Sequence, residues 1–327
     1  MCVLKVEKLS LNYNLNKKEI VAVRDVSFSL EKGRTVGIFG ETGSGKSSIG
    51  LAIMGLLPLN SSIISGKIIY KGKNLLNLKE KEINQIRGKG IFLIMQGGRE
   101  LFDPTLSIRQ HLEEVLNARS QMTGEEVAVK ILEFFEILMI EKDVLNAMPS
   151  ELSEGTLQKI LISMALMNKP EILIADEPTS NLDMINQYRV LKEIRRFQTR
   201  HDMGLIFITH DLSIIANIAD DVLVMYGGEI VEKGDIYKVF LNPGHPYTKR
   251  LLAAFPTLDN YKKDLEFIPG NLPAGDNLPT GCIFHPRCVY CQEKCRKERP
   301  FLSKLADNHY VMCHFVNEIQ QWSDNVV

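Results

Sequence analysis

Apolar and polar positions change period along this chain, and each change marks a change of predicted element. Ile20-Val21-Ala22-Val23 runs apolar, and residues 26–30 alternate. The pattern predicts two short strands ending at a turn, Glu31-Lys32-Gly33. Residues 35–39 predict a buried strand that leads into a glycine-rich loop. Residues 65–70 predict another, with a turn at Lys71-Gly72. From 107 to about 166 the period lengthens. Ile108, Leu112, Val115 and Leu116, then Val127, Ile131, Leu132 and Phe135, fall at helical spacing and predict an inserted helical block. Strands return at 172–175 and 205–208, with a helix at 184–200 between them, and that order makes a parallel crossover unit. Residues 221–225 and 229–232 flank Tyr226-Gly227-Gly228 and predict a closing pair of strands. From about Asn242 proline and glycine become frequent, and the chain reads as an appended tail of irregular structure. Neither internal repeats nor low-complexity segments interrupt this order.

Composition narrows the classes. With 327 residues the chain has room for two domains, or for one with an appendage. Apolar content of 45% and charged content of 24% are ordinary for a globular protein. A net charge of −1, from 39 basic and 40 acidic residues, gives no electrostatic case for binding nucleic acid or an anionic membrane. No apolar run reaches the roughly eighteen residues that span a bilayer, and the start lacks the apolar stretch of a signal peptide. A cytosolic setting is expected, where thiols stay reduced and clustered cysteines more often bind metal than form disulfides.

Two motifs carry chemistry. Gly40-Glu41-Thr42-Gly43-Ser44-Gly45-Lys46-Ser47 fits G-x-x-x-x-G-K-[ST], and it lies after a predicted strand and at the start of a helix that Ser48 continues. Its glycines let backbone N–H groups point inward at phosphate, and the helix N-terminus adds partial positive charge. Lys46 is placed to reach the β- and γ-phosphates, and Ser47 to ligate Mg²⁺. Asp176-Glu177 ends an apolar strand, where an Asp can hold the Mg²⁺ shell and a Glu can orient and deprotonate attacking water.

Further segments resemble one family. Leu152-Ser153-Glu154-Gly155-Thr156 is similar to the LSGGQ signature of ATP-binding-cassette (ABC) ATPases. Ser180-Asn181-Leu182-Asp183 resembles their D-loop, His210 their switch histidine and Gln96 their Q-loop glutamine. Tyr13 suits an aromatic that stacks on adenine. The resemblance covers roughly residues 3–235. It implies an α/β fold: a RecA-like P-loop NTPase with an inserted helical subdomain at about 97–166 and an antiparallel β subdomain. The ATPase domain would be 1–241, and a cysteine-containing C-terminal extension 242–327.

The resemblance also implies the mechanism and the partners. Two such subunits face each other head to tail, and each ATP lies between the phosphate loop of one and the signature of the other. ATP then has higher affinity for the closed pair, as a ligand must if it is to drive a conformational change. Gln96 would help ligate Mg²⁺ and pass the stroke to two membrane permeases, which an extracytoplasmic binding protein supplies; the subunit itself would be peripheral on the cytoplasmic side.

The signature departs from the family pattern, with Glu154 in place of glycine and Thr156 in place of glutamine. Two unit charges about 4 Å apart at an effective dielectric near 20 interact by about 4 kcal/mol. Glu154 would therefore weaken the site that Ser153, Glu154 and Gly155 complete in trans, which favours a heterodimer with a different ATPase subunit. A regulatory subunit with little turnover is the alternative that this departure keeps open. A cassette ATPase acting on ribosomes or DNA would carry a second cassette or long coiled coils, and the sequence has neither.

Two features point to a branch of the family. His245-Pro246-Tyr247-Thr248, followed by Leu251, Leu252, Phe255 and Pro256, resembles the "HPYT…LL…P" segment of oligopeptide, dipeptide and nickel importers. Leu251, Leu252 and Phe255 would give this helix an apolar face. Cys282, Cys288, Cys295 and Cys313, with Pro286 and Arg287, resemble the cysteine tail of the same importers. That tail implies a four-iron, four-sulfur cluster, for which four thiolates suffice. Zinc is the alternative, because Cys288-x-x-Cys291 has a spacing it favours, and a disulfide or free thiols also remain open. The cysteine tail leans toward peptide cargo, whereas Gly155-Thr156-Leu157-Gln158-Lys159 looks more like the nickel or metal-chelate branch.

Overall fold

The structure is a computed structural model that describes residues 1–117, 122–254, 268–273 and 275–318. Strand β1 (Cys2–Leu15) is followed by β2 (Lys18–Glu31). β2 is one strand where the pattern predicted two. The polar break at Arg24-Asp25 is a kink, with Asp25 at φ 55°, and its N–H donates to the Ser10 hydroxyl. Strand β3 (Thr35–Gly40) is buried at every position and leads to helix α1 (Lys46–Met54). Strand β4 (Ser61–Tyr70) turns through Lys71 and Gly72, both at positive φ, into the short β5 (Lys73–Asn74). Helix α2 (Glu80–Ile86) and strand β6 (Ile91–Ile94) follow.

The predicted helical block contains α3 (Ile108–Asn117), α4 (Gly124–Ile137) and α5 (Glu154–Met167). Thr123 starts α4 by accepting from the Glu126 N–H while Glu126 reaches back, a reciprocal cap of the kind whose loss costs about 1 kcal/mol. Then come β7 (Ile172–Asp176), α6 (Met184–His201), β8 (Gly204–Ile208), α7 (Leu212–Ile218), β9 (Asp221–Tyr226) and β10 (Glu229–Asp235). The chain continues through α8 (Ile236–Leu241), α9 (Pro246–Ala253), α10 (Glu293–Lys297), β11 (Ser303–Ala306) and β12 (His309–Val311).

Two compact units form. One contains residue 1 and residues 31–34 and 78–207. In it β6 and β7 pair in parallel, from Ile91 beside Ile172 to Ile94 beside Ala175, and all of β7 is buried. Ile108, Leu112, Leu116, Val127, Ile131 and Phe135 are buried and form core with Leu157 and Ile160 of α5, while Val115 and Leu132 are half-buried.

The other unit contains residues 2–30, 35–77 and 208–327. An antiparallel sheet has the order β2-β1-β4-β5. A second set of strands runs β11-β12-β10-β9-β3, with β3 parallel to β9 and the rest antiparallel. This corrects the expectation of an irregular appended tail. β12 pairs with β10 from Glu232 beside Val311 to Gly234 beside His309, so the end of the chain extends this unit's own sheet. The short strand 309–311 has too little period of its own to be legible. In α9 the fully buried positions are Pro246, Tyr247 and Thr248, while Leu251 and Leu252 are half-buried. Phe255 and Pro256 lie outside the described residues.

Candidate functional site

In the unit that holds β3, the loop 40–47 closes over the start of α1. Gly45 caps the helix at φ 94°, and a side chain there would meet the Ala22 carbonyl at 2.0 Å, so only glycine fits. No side chain caps α1 and no acidic residue lies in its first turn. The Ser44 hydroxyl is buried without a hydrogen-bond partner among the described residues. Lys46 is 8% exposed, and its ammonium donates to the Gly40 and Glu41 carbonyls at 2.8 and 2.9 Å. Thr42 and Gly43 are exposed and Ser47 is half-buried. A bare helix N-terminus, an orphaned hydroxyl and a folded-back lysine suit a polyphosphate. Tyr13 donates from its hydroxyl to Ser48 on α1, at 3.0 Å.

His210 is exposed in the turn before α7, and its neighbours hold that turn. Asp211 caps α7 through the Ser213 N–H, at 2.8 Å, and the Thr209 N–H donates to the Ile38 carbonyl.

The other unit places the remaining predicted residues. Gln96 follows β6 and is exposed. Ser153 is the N-cap of α5: its hydroxyl accepts from the Thr156 N–H at 3.2 Å and lies 2.9 Å from the Thr156 hydroxyl. Glu154 turns its carboxylate onto the segment after Gln96 and accepts from the Arg99 N–H at 3.3 Å. Gly98 makes room for it, since a side chain there would lie 1.5 Å from a Glu154 oxygen. Asp176 ends β7, buried, and Glu177 follows, also buried, with φ 49°. Asp183 is the N-cap of α6, and its carboxylate accepts from the Ile185 and Asn186 N–H groups at 3.0 Å. Those bonds hold its pKa below the usual carboxylate value, the Asn186 N–H contributing most.

Three residues that the sequence reading left without a role stand out. Gln158 is buried; its amide donates to the Glu177 carbonyl and accepts from the Asn181 N–H, both at 3.0 Å, which ties the signature helix to the D-loop. Tyr247 is buried, and its hydroxyl accepts from the Glu41 N–H of the phosphate loop at 3.1 Å. Arg287 meets the Glu41 carboxylate at 2.9 and 3.0 Å. The H-P-Y-T segment, legible only as a family mark, therefore has a mechanical part.

Its helix is set by His245, the N-cap of α9, whose Nδ1 accepts from the Tyr247 N–H at 3.1 Å. Burial pushes the pKa of that ring down to about 4, so it stays neutral. The Gly244 and His245 N–H groups both donate to buried Glu232, which also meets His309 at 2.7 Å.

Cys282, Cys288, Cys295 and Cys313 line one narrow cleft, together with His245, His285 and His314. None of the four cysteines is in a disulfide, and burial pushes the thiols of Cys282 and Cys288 up to about 12 and that of Cys313 to about 11. Cys291 is not among the residues that line the cleft, so Cys288 and Cys291 do not face it as a pair. Among the described residues no three His, Cys, Asp or Glu side chains form a metal-holding group. The thiols are neighbours, but as arranged they do not fit a cluster or an ion.

A phosphate loop after a buried strand, an acidic strand end and a serine-capped signature helix define an ABC ATPase. Comparisons with known proteins agree. The ABC transporter family model matches residues 23–180, and the model for the oligopeptide/dipeptide transporter C-terminal region matches 231–295. The oligopeptide transport ATP-binding protein of Bacillus subtilis is 41% identical over 94% of this chain and 87% of that protein. The dipeptide transport ATP-binding protein of Caldanaerobacter subterraneus is 36% identical over 97% of this chain and 98% of its own length. The Escherichia coli dipeptide protein is 35% identical over 96% and 97%. In fold, a dimeric bacterial ABC transporter cassette superposes with a TM-score of 0.65 at 25% identity, over 71% of this chain and 98% of that one. The chain belongs to the oligopeptide/dipeptide family of ABC transporter ATP-binding subunits.

Proposed function

We propose that this subunit binds and hydrolyses ATP to power the import of small peptides through two membrane permeases. The observation that carries the ATP reading is the uncapped start of α1 with Lys46 folded over the loop carbonyls, which a triphosphate would replace. Gly40, Glu41, Thr42, Gly43, Ser44 and Gly45 form the cradle, Ser48 continues the helix, and Tyr13 offers a ring to adenine. Ser47, Asp176 and Gln96 carry the hard oxygen donors that Mg²⁺ prefers. The ion, when bound, would neutralise charge on the β- and γ-phosphates. Glu177 would orient and deprotonate the water, and His210 would hold the terminal phosphate. Ser153 and Gly155 would complete the site of a second cassette, with Asp183 in the D-loop between them. The ATPase domain would occupy 1–241, with its helical subdomain at about 97–166, and the extension 242–327.

Peptide cargo is supported by the names of the relatives; nickel finds no such support. Among the described residues no helix is long and apolar enough to cross a membrane, in keeping with a peripheral subunit on the cytoplasmic face. A heterodimeric partner is favoured by Glu154. Co-purification with the permeases, followed by peptide-stimulated ATPase assays, tests the reading. ATP turnover by the isolated monomer at the full rate of the complex overturns it.

A second reading concerns the tail. The iron–sulfur cluster, or zinc on the same thiols, rests on the resemblance of the cysteine tail and on four thiols lining one cleft, against an arrangement in which the described residues form no metal-holding group. No catalytic step passes through it. Iron, sulfide and zinc analysis of anaerobically purified protein decides it, and less than about one metal equivalent per chain ends the idea.

A further inference from the structure

We propose that Arg287, in the C-terminal extension, is a positioning residue for the phosphate loop: with Tyr247 it holds Glu41 and thereby sets the affinity for nucleoside triphosphate. The inference rests on the ATP reading above and adds a residue outside the ATPase motifs to it.

The guanidinium is fixed from several sides. Its Nε donates to the Pro269 carbonyl at 2.8 Å and one terminal nitrogen to the Ile268 carbonyl at 3.2 Å. The other terminal nitrogen reaches both Glu41 oxygens and the Tyr226 hydroxyl, the last at 3.3 Å. The cation also lies 5.6 Å from the centre of the Tyr226 ring. The Arg287 side chain is 7% exposed and that of Glu41 28%, so this ion pair is screened less than a surface pair. Phe284 packs its ring 5.1 Å from Tyr226 and 5.5 Å from Tyr247, which locks both tyrosines to the same short segment.

Every polar group of Glu41 is thus engaged. Its N–H goes to Tyr247, its carboxylate to Arg287, and its carbonyl to Lys46. Glu41 is the residue by which β3 leaves the sheet and becomes the loop, so holding it fixes where the loop starts. Arg287 also neutralises a carboxylate that would otherwise stand, uncompensated, in the loop that must accept a polyanion. Both effects act on binding rather than on the chemical step.

The test uses the full-length chain assembled with its membrane subunits and reads KM and kcat for ATP. Arg287→Gln should raise KM about tenfold while kcat changes less than about twofold, the signature of lost uniform binding. Arg287→Lys, which keeps the charge, should recover part of the loss. Combining Glu41→Gln with Arg287→Gln should give no further loss beyond Arg287→Gln alone, because the two side chains act on each other. If Arg287→Gln fails to assemble, Tyr247→Phe removes one hydroxyl and should raise KM about threefold. A residue that only stabilised the fold would lower the amount of active complex and leave KM alone. Unchanged KM in an assembled Arg287→Gln or Tyr247→Phe complex, equal effects of Gln and Lys, or additive Glu41 and Arg287 effects each overturn the proposal. A wild-type complex that turns over no ATP sinks the ATP reading itself, whereas normal wild-type turnover with unchanged variant KM sinks only the brace.

Discussion

The phosphate loop and the signature segment both end on a helix N-terminus, yet they are built differently. Glu41 in the loop is held through its N–H and its carboxylate by two side chains of the C-terminal extension, and Lys46 is buried over it. Ser153 and Glu154 are exposed, and their ties are local: a cap to Thr156 and one bond to the Arg99 N–H. The first segment is pre-organised within its own chain, so little ordering cost remains when a ligand arrives. The second is left open, as suits a surface completed by another subunit. On the function proposed above, the contrast would give nucleotide affinity to the loop and partner dependence to the signature.

The hardest blow to the loop side is Lys46→Ala. It should lower kcat/KM for ATP on the order of 10³-fold in the assembled complex, since a charge aimed at the phosphates is lost. A variant within tenfold of wild type would break the contrast. Glu177→Gln should cut turnover about 10²- to 10⁴-fold while nucleotide binding persists, measured by equilibrium binding beside ATPase rate. Lost binding would move Glu177 out of the role of base.

Acid should loosen the support of the loop. His245 titrates near 4 when folded, against 6.5 for the ordinary group. Between those values the unfolded chain binds the extra proton, so stability falls as pH drops from 6.5 toward 4, by about 1.4 kcal/mol per pH unit. Thermal unfolding across that range checks this, with a flattened profile expected for His245→Asn. The smallest effect belongs to the signature. Glu154→Gly should raise turnover about two- to fivefold if its charge opposes a phosphate in trans. An unchanged rate would mean that its bond to the Arg99 N–H describes its whole role.

Much of the cassette was legible in the chain. The strand 35–39 and the glycine loop are contiguous, and the acidic strand end is its own run of neighbouring residues, so each could be read locally. Six of the eight periodic residues of α3 and α4 are buried, while Val115 and Leu132 are half-buried. The kink in β2 was read as a break between two strands because local pattern cannot report that a hydroxyl from β1 satisfies the Asp25 N–H. The tail was misread as irregular because β12, at three residues, takes its order from β10.

The sequence by itself determined the phosphate loop, the order of the motifs and the family, because each is written in neighbouring residues whose backbone geometry is local. Only the tertiary structure decided that Arg287 meets Glu41 across 246 positions, that Gln158 joins the signature helix to the Glu177 carbonyl, and that four thiols share a cleft. Such contacts depend on where separate elements come to rest, and packing and sheet register set that, not the period of any one segment.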